Sequence, residues 1–265
     1  MTEARVMALG RALAASRRAG TAVEPGLLDP LPEGLRDDPA AAEAVQAEAV
    51  LACGEAVRGT VLCATARRTA RLLACPGPVH APLLASSLRE DGAVVRTSRF
   101  VLGVGAQYLA VLGRPFPGEN EDPGDPAALA GAILSWRIGL QVLARRLPDC
   151  VPLGPWSATA DFGLDAAELR GAAIPARAEA DLADAPVTLR LDGHAVARGS
   201  GAEILEAHPL AAVAWLARAL DRVGRGLEAG DVVATGSCTG LIRIRPGQRV
   251  EAEFGAFGQV GLEVA

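Results

Sequence analysis

The chain has 265 residues, and 50% of them are hydrophobic, which is enough to bury a full core. A net charge of -5 at neutral pH argues against nucleic acid or an anionic membrane surface as the main partner. No apolar run is long enough to span a bilayer, and the first residues lack the order of a signal peptide, so we expect a cytoplasmic protein with no membrane partner.

The basic and sulfur-containing residues restrict the chemistry further. All 26 basic residues are Arg, so no lysine is available as a Schiff base or general base. The five Cys are odd in number and form no Cys-x-x-Cys pair, which favours free thiols in a reducing compartment.

The first part of the chain has the patterns of helices. Residues 4–18 are amphipathic, and a second helix is expected over residues 39–57, where Asp38 can cap it and Pro39 suits the first helical position. Residues 1–75 are therefore predicted to be a helical N-terminal segment. Three prolines then favour an irregular loop over residues 74–87, lining a pocket.

Strand and helix signals alternate after that loop. A strand is expected over residues 102–112, and the apolar stripe after Asp125 favours one long helix over residues 125–146. Asp192-Gly193 is typical of a hairpin turn between strands at residues 187–191 and 195–199. A helix follows at residues 210–223.

The last thirty-five residues contain three short runs of alternating apolar and polar residues, broken by Gly and Pro-Gly. The runs are residues 241–244, 249–254 and 260–264. Period-two runs of this kind predict antiparallel strands, which must close into a barrel or roll to protect their edges.

Six short motifs in this half occur in an order that resembles the fumarylacetoacetate hydrolase family, and within it the 2-keto-4-pentenoate hydratases and their decarboxylase relatives. They are Ala-His-Pro-Leu at 207–210, Trp-Leu at 215–216, Ala-Gly-Asp at 229–231, Thr-Gly-Ser at 235–237, Pro-Gly at 246–247 and Glu-Phe-Gly-Ala-Phe-Gly at 253–258. The resemblance implies an α+β fold, a mixed β-roll or barrel with flanking helices over residues 76–265, and a homodimer.

The resemblance also implies a divalent cation held by a Glu-x-Glu on a strand and a third Glu on the following helix. In this chain those positions are Gly105, Gln107 and Gln141. Glycine brings no ligand, and two neutral amides cannot offset the cost of dehydrating a divalent cation. We therefore expect no metal and no other cofactor. The family's lysine position is Val61, and the glycine after it is Cys63.

Four residues are candidates for catalysis: His80, Gln107, Gln141 and Asp161. Imidazole exchanges protons near neutral pH, although a loop His bonded to a backbone carbonyl is an equal alternative for His80. The two Gln side chains could stabilise an enolate as neutral donors, or simply satisfy each other in a vacated cavity. Asp161 is the only retained acid that the resemblance places near the pocket.

Eight residues are candidates for the substrate wall, because they fall on or beside positions that line the family's site. Thr235 and Ser237 could equally stabilise a turn, and Cys63 could be a small buried apolar residue. The full set is Val61, Cys63, Leu83, Gly105, Phe162, Leu164, Thr235 and Ser237.

Three hypotheses for function follow. The first is a metal-independent enzyme of lyase or isomerase type, acting on a small or polyketide-like carbonyl compound by proton transfer, elimination, isomerisation or cyclisation, in specialised metabolism. The second is a noncatalytic binding or assembly partner on a hydratase fold. The third is a metal-dependent hydratase or decarboxylase with displaced ligands.

Overall fold

A computed structural model describes residues 2–27, 38–96 and 100–265. The helices are α1 (Glu3–Ala19), α2 (Pro39–Cys53), α3 (Arg67–Leu72), α4 (Pro126–Ala132), α5 (Pro155–Ala160) and α6 (Pro209–Asp221). The strands are β1 (Val57–Cys63), β2 (Val79–Leu84), β3 (Leu88–Glu90), β4 (Val94–Val95), β5 (Val101–Leu112), β6 (Ile133–Ala144), β7 (Asp165–Pro175), β8 (Val187–Leu191), β9 (His194–Gly199), β10 (Val232–Ala234), β11 (Arg249–Phe254) and β12 (Gln259–Val264).

The strands form two sheets. The larger has seven strands in the order β2-β1-β10-β5-β6-β7-β3, and the smaller has five in the order β4-β12-β11-β8-β9. Both sheets contain parallel and antiparallel pairs, so the predicted mixed α+β fold is confirmed. Tyr108 of β5 packs edge-on against Phe254 of β11, with 5.2 Å between ring centroids, in the core that the two sheets share.

The two N-terminal helices are confirmed. Asp38 caps α2 by accepting hydrogen bonds from the backbone N–H groups of Ala40 and Ala41. The helix ends at Cys53 rather than at residue 57, because Gly54 adopts a left-handed conformation (φ +66°) that stops it. The helical segment 1–75 also contains β1, a strand of the larger sheet, and the division of the chain at residue 75 stays a prediction.

The predicted long helix at residues 125–146 is wrong beyond residue 132. Helix α4 ends at Ala132, and the apolar stripe continues as the twelve-residue strand β6. From Ile138 to Ala144 every residue of β6 is buried. A strand that is covered on both faces is a continuous apolar run, and its period does not distinguish it from a buried helix.

The predicted loop at residues 74–87 is also partly wrong, because residues 79–84 form β2. This strand lies at the edge of the larger sheet, where Pro82 removes no hydrogen bond that a further strand would need.

Most of the remaining element predictions are confirmed, and one is wrong. The hairpin β8–β9, helix α6 and strands β11 and β12 are confirmed. Residues 241–244 contribute one isolated bridge, from Ile242 to Val104, instead of a strand. Within the described ranges, every helix is too short or too polar to cross a bilayer.

Candidate functional site

Three neighbouring strands bring the positions of the expected cation ligands into one row. Gly105 of β5 lies opposite Gln141 of β6, and Gln141 lies opposite Glu168 of β7. Gln107 is two residues along β5 from Gly105, so its side chain leaves the same face of the sheet. The third expected position is therefore on a strand and not on a helix.

A carboxyl group lies between the two amides. The Nε2 group of Gln141 donates a hydrogen bond to Glu168 Oε1 at 3.1 Å, and the Nε2 group of Gln107 donates to Glu168 Oε2. All three side chains are buried. We call these residues, Gln107, Gln141 and Glu168, the carboxyl–amide cluster.

Backbone groups fix the direction of both amides. The oxygen of Gln107 accepts from the backbone N–H of Gly236 at 3.1 Å, which turns its NH₂ group towards Glu168. The NH₂ group of Gln141 also donates to the carbonyl of Leu62 at 3.0 Å. Each amide thus presents a donor to the carboxyl group, and neither presents its oxygen there.

A second set of polar groups lies beside the cluster and reaches it from helix α1. Arg17 Nη2 donates to Asp165 Oδ2 at 3.0 Å, and Arg17 Nη1 donates to the backbone carbonyl of Asp165 at 2.7 Å. The hydroxyl of Ser87 bonds to both Arg17 and Asp165. The carbonyl of Ser87 accepts from the backbone N–H of Glu168 at 2.9 Å, which joins the two sets.

The electrostatics of this region favour a protonated Glu168. Burial is the largest effect and raises the pKa of Glu168 well above its ordinary value, and the charge of Asp165 raises it further. The two amide donors oppose this shift but do not cancel it. Burial therefore favours the neutral form of Glu168, which lies next to two fixed amides.

These residues do not fit a divalent cation. Gly105 has no side chain, and both amides present NH₂ groups, which repel a cation, towards the space between the strands. A Cβ atom at position 105 would lie 2.1 Å from Ser237 Oγ and 2.5 Å from the carbonyl oxygen of Gly240, so the loop that carries Ser237 occupies the room that a ligand there needs. The described ranges contain no group of three or more His, Cys, Asp or Glu placed to hold a metal ion.

His80 lies away from the carboxyl–amide cluster. It is on β2, where the adjacent residue Ala81 faces Val61 and the cluster's side of the sheet, so His80 faces the other side. Its ring packs edge-on against Trp215 of α6 at 6.1 Å, and burial lowers its pKa. The structure thus does not bring His80 together with Gln107 and Gln141.

Asp161 forms a buried ion pair. Its carboxyl group accepts from Arg146 Nη1 at 2.9 Å, from the backbone N–H of Arg146 and from the backbone N–H of Leu147 at 3.3 Å. Burial raises the pKa of Asp161, whereas the charge of Arg146 lowers it. These contacts make Asp161 a support for the start of the loop after β6.

The predicted substrate-wall residues are packed rather than open. Thr235 donates to the carbonyl of Tyr108 at 2.9 Å and Ser237 to that of Gly240 at 2.7 Å, so both hydroxyls stabilise their own loop. Phe162 lies 4.9 Å from the guanidinium carbon of Arg17 in a cation–π contact. Burial raises the pKa of Cys63, which makes it a poor nucleophile. Of the eight candidates, these are fully or almost fully buried: Val61, Cys63, Leu83, Phe162, Leu164, Thr235 and Ser237.

An apolar cluster extends from the site to an open cleft. Its buried side chains are Cys63, Ala64, Leu73, Cys75, Val79, Leu143, Ala158 and Leu164. Leu143 is two residues from Gln141 on the same face of β6. At its other end the cluster borders a cleft of about 1160 Å³. The cleft is lined by four leucines and three arginines: Leu73, Leu102, Leu153, Leu241, Arg145, Arg243 and Arg245.

Sequence reasoning missed Glu168 and its neighbours Asp165, Ser87 and Arg17. Residues 165–175 form β7, and two acids, Asp165 and Glu168, lie in its buried first half, which is an unusual place for acids. Arg17 gives no such signal, because it is one of several arginines on an amphipathic helix.

The fold and the buried row of polar residues define a class of mixed α+β proteins with a curled sheet around a central site. The family model described as "Fumarylacetoacetate (FAA) hydrolase C-terminal" matches residues 83–265, and the chain belongs to this family.

Its relatives are hydratases and decarboxylases. The chain is 29% identical to a 2-keto-4-pentenoate hydratase of Burkholderia vietnamiensis, over 78% of each chain. It is 25% identical to 2-keto-4-pentenoate hydratase 2 of Dechloromonas aromatica, over 94% of this chain and 93% of that one. The structure of 4-oxalocrotonate decarboxylase from Pseudomonas putida G7, complexed with magnesium and adipate, superposes with a TM-score of 0.85 at 23% identity, covering 100% of this chain and 99% of that one.

Proposed function

We propose that this protein is a lyase-type or isomerase-type enzyme that moves a proton on a small or polyketide-like carbonyl compound without a divalent cation. The observation that carries the proposal is the Glu168 carboxyl group held between the NH₂ groups of Gln107 and Gln141, at the place where the family resemblance implies a cation. The relatives' activities as hydratases and decarboxylases support a carbonyl substrate.

A single carboxylic acid can supply both proton movements of such a reaction. Its O–H group gives a proton to the carbonyl oxygen of the substrate, and its other oxygen accepts a proton from the adjacent carbon atom. The product is the enol, and the acid is regenerated, so no net proton is gained or lost. Gln107 and Gln141 fix the carboxyl group during this exchange, because backbone groups hold both amides in place.

Access to Glu168 requires the apolar cluster to open. Leu143 and Leu164 are fully buried and lie in the cluster that extends from the cleft to the neighbourhood of Gln141. An apolar substrate compensates for their displacement by burying its own apolar surface in the same place. The proposal therefore favours a substrate with a hydrocarbon part over a strongly polar one.

Deuterium exchange tests the proposal without knowledge of the natural product. A panel of 2-oxo acids with alkyl chains of increasing length is incubated with the enzyme in D₂O and EDTA, and exchange at the carbon next to the carbonyl is followed by NMR. We expect exchange with the wild type, and a loss of at least about 100-fold with Glu168→Gln, in the range of general acid–base catalysis. Glu119→Gln, the same change at an exposed position outside the cleft, is the matched control.

Two results would contradict the proposal. Exchange that appears only after Mg²⁺ or Mn²⁺ is added would favour a metal-dependent hydratase or decarboxylase with displaced ligands. Exchange that is equal in the wild type and in Glu168→Gln would assign the proton transfer to another group.

A noncatalytic binding or assembly partner is the second candidate, and the packed substrate wall favours it. Leu83, Phe162 and Leu164, which the resemblance places on the substrate wall, are fully buried. If the wild type exchanges no member of the panel, and Leu164→Ala, which opens the apolar cluster, also exchanges none, this second function accounts better for the site.

A further inference from the structure

Glu168 belongs to a buried group of charges that extends to Arg17 and Asp165. The exposed fractions of the side chains are 7% for Arg17 and 1% for Asp165, and Glu168 is fully buried. If both carboxyl groups were ionised, the group would carry one uncompensated negative charge away from water. With one proton between the two carboxyl groups it is neutral, and the cost of burying a lone charge disappears.

The other ionisable groups near this site do not change the balance. Arg146 Nη2 donates to the backbone carbonyl of Asp165 at 2.6 Å, but its charge is balanced by Asp161 in the ion pair described above. The thiol of Cys63, which also faces Glu168, is neutral because burial raises its pKa. The charge balance therefore depends on Arg17, Asp165 and Glu168.

Hydrogen bonds decide which carboxyl group holds the proton. Asp165 Oδ2 accepts from both Arg17 and Ser87, two donors that stabilise a negative charge on Asp165. Asp165 Oδ1 is buried and accepts no hydrogen bond from the described residues. Asp165 lies opposite Leu143 and Glu168 opposite Gln141, two positions on one face of β6, so both carboxyl groups leave the same face of the sheet, and the charge of Asp165 raises the pKa of Glu168. Two carboxylates are both acceptors, so a contact between them needs a proton.

We propose that Asp165 and Glu168 form a carboxyl dyad that shares one proton, in which Arg17 and Ser87 hold the negative charge on Asp165 and Glu168 carries the proton. Arg17 is a positioning residue, since it contacts Asp165 and not the reacting group. The catalytic use of the dyad rests on the proposed function, because the shared proton is the one that Glu168 transfers. The existence of the dyad does not depend on catalysis.

Infrared difference spectroscopy of the full chain, without substrate, tests the dyad. A protonated carboxylic acid has a C=O stretching band that a carboxylate lacks. At neutral pH we expect the wild type to show one such band that is absent from Glu168→Gln. In Asp165→Asn, where Arg17 can balance an ionised Glu168, we expect the band to disappear at lower pH than in the wild type. If the band is present in Glu168→Gln, or if the wild type has no buried acid band, the dyad is wrong.

The pH dependence of the same band tests the role of Arg17. Loss of a positive charge makes deprotonation of the dyad harder, so Arg17→Gln is expected to move the midpoint at which the band disappears to higher pH. Arg17→Lys, which keeps the charge, is expected to stay closer to the wild type, and Ser87→Ala to move the midpoint in the same direction by less. Arg18→Gln, the exposed neighbour on α1, is the control and leaves the midpoint unchanged.

The outcomes separate the dyad from the proposed function. An unchanged midpoint in both Arg17→Gln and Ser87→Ala would overturn the role of these two residues, and a purely structural role of Arg17 would not move the midpoint. If Arg17→Gln does not fold, Ser87→Ala and Arg17→Lys still decide the question. If the band behaves as expected but the protein catalyses no deuterium exchange in any 2-oxo acid, the dyad is confirmed and the proposed enzymatic activity is contradicted.

Discussion

Burial makes a charge on Glu168 costly in the folded protein, whereas the same residue in the unfolded chain is solvated. The folded-state pKa is therefore raised above that of the unfolded chain. Between those two pKa values the native protein binds one more proton than the unfolded chain does. Its free energy of unfolding must fall as pH rises through that window.

This difference gives a prediction for Glu168→Gln, which removes the titrating group. Above about pH 4.3, the ordinary pKa of Glu, the wild type is expected to lose stability relative to this variant by about 1.4 kcal/mol for every pH unit up to the folded-state pKa. Urea unfolding of both proteins at a series of pH values measures the difference. A constant difference from acid to alkaline pH would show that Glu168 is ionised in the native state.

A second prediction at this scale contrasts a buried with an exposed aspartate. Asp161→Asn leaves the buried Arg146 without its counter-charge and is expected to cost about 3–5 kcal/mol of unfolding free energy. Asp149→Asn breaks an ion pair in which Asp149 is fully exposed, and it is expected to cost less than about 1 kcal/mol. Chemical denaturation checks both values, and equal costs would contradict a structural role for Asp161.

Single residues were predictable from the sequence only where a motif marked them. Gln107 and Gln141 occupy positions that the family resemblance identifies, and the structure does bring them together. Glu168 is part of no family motif, and its contact with both amides depends on how β5, β6 and β7 pair. The sequence alone does not give the register of these strands, so it could not predict that contact.

At the scale of elements, the loop at residues 235–240 determines what the site can hold. It lies against β5, where the backbone N–H of Ala106 donates to Thr239 Oγ1 at 3.0 Å and that of Cys238 donates to the carbonyl of Ala106 at 2.8 Å. Gly105 is the residue that permits this approach. The loop and a side chain at position 105 exclude each other.

Gly105→Ala is therefore expected to destabilise the protein by about 1–3 kcal/mol or more, because the backbone carbonyl of Gly240 must shift to admit a Cβ atom. Gly131→Ala is the matched control: it lies on α4 with open space around it, and it is expected to be neutral or to gain up to about 1 kcal/mol. Thermal unfolding of the two variants gives the comparison. A neutral Gly105→Ala would mean that the loop is free to retreat, and that the site can accept a ligand there.

The element predictions were correct where a helix cap or a tight turn sets the boundary of an element. They were wrong where tertiary contacts determine which secondary structure forms. Asp38 with Pro39, and Asp192 with Gly193, specify a helix start and a hairpin through local hydrogen bonds and backbone conformation. The apolar pattern continues from α4 into β6 without a break. Residues 133–144 form a strand and not a helix because they pair with β5 and β7.

At the scale of the whole molecule, the chain keeps the fold of the family, and the match at a TM-score of 0.85 spans all of it. Gly105, Gln107 and Gln141 lie at the positions where the family resemblance implies cation ligands. We also expect a homodimer, as the family resemblance implies, and light scattering after size exclusion measures it. A monomer at all concentrations would contradict that expectation without affecting the site.

The most direct test of the central claim, that a proton on Glu168 takes the place of a cation, is a calorimetric titration of the protein with Mn²⁺ at neutral pH. We expect no saturable binding, and no rise in the melting temperature with Mn²⁺, since a ligand that binds the native state at 100 times its Kd would add about 2.7 kcal/mol of stability. Binding of one Mn²⁺ per chain that is lost in Gln107→Ala or Glu168→Ala would contradict the claim.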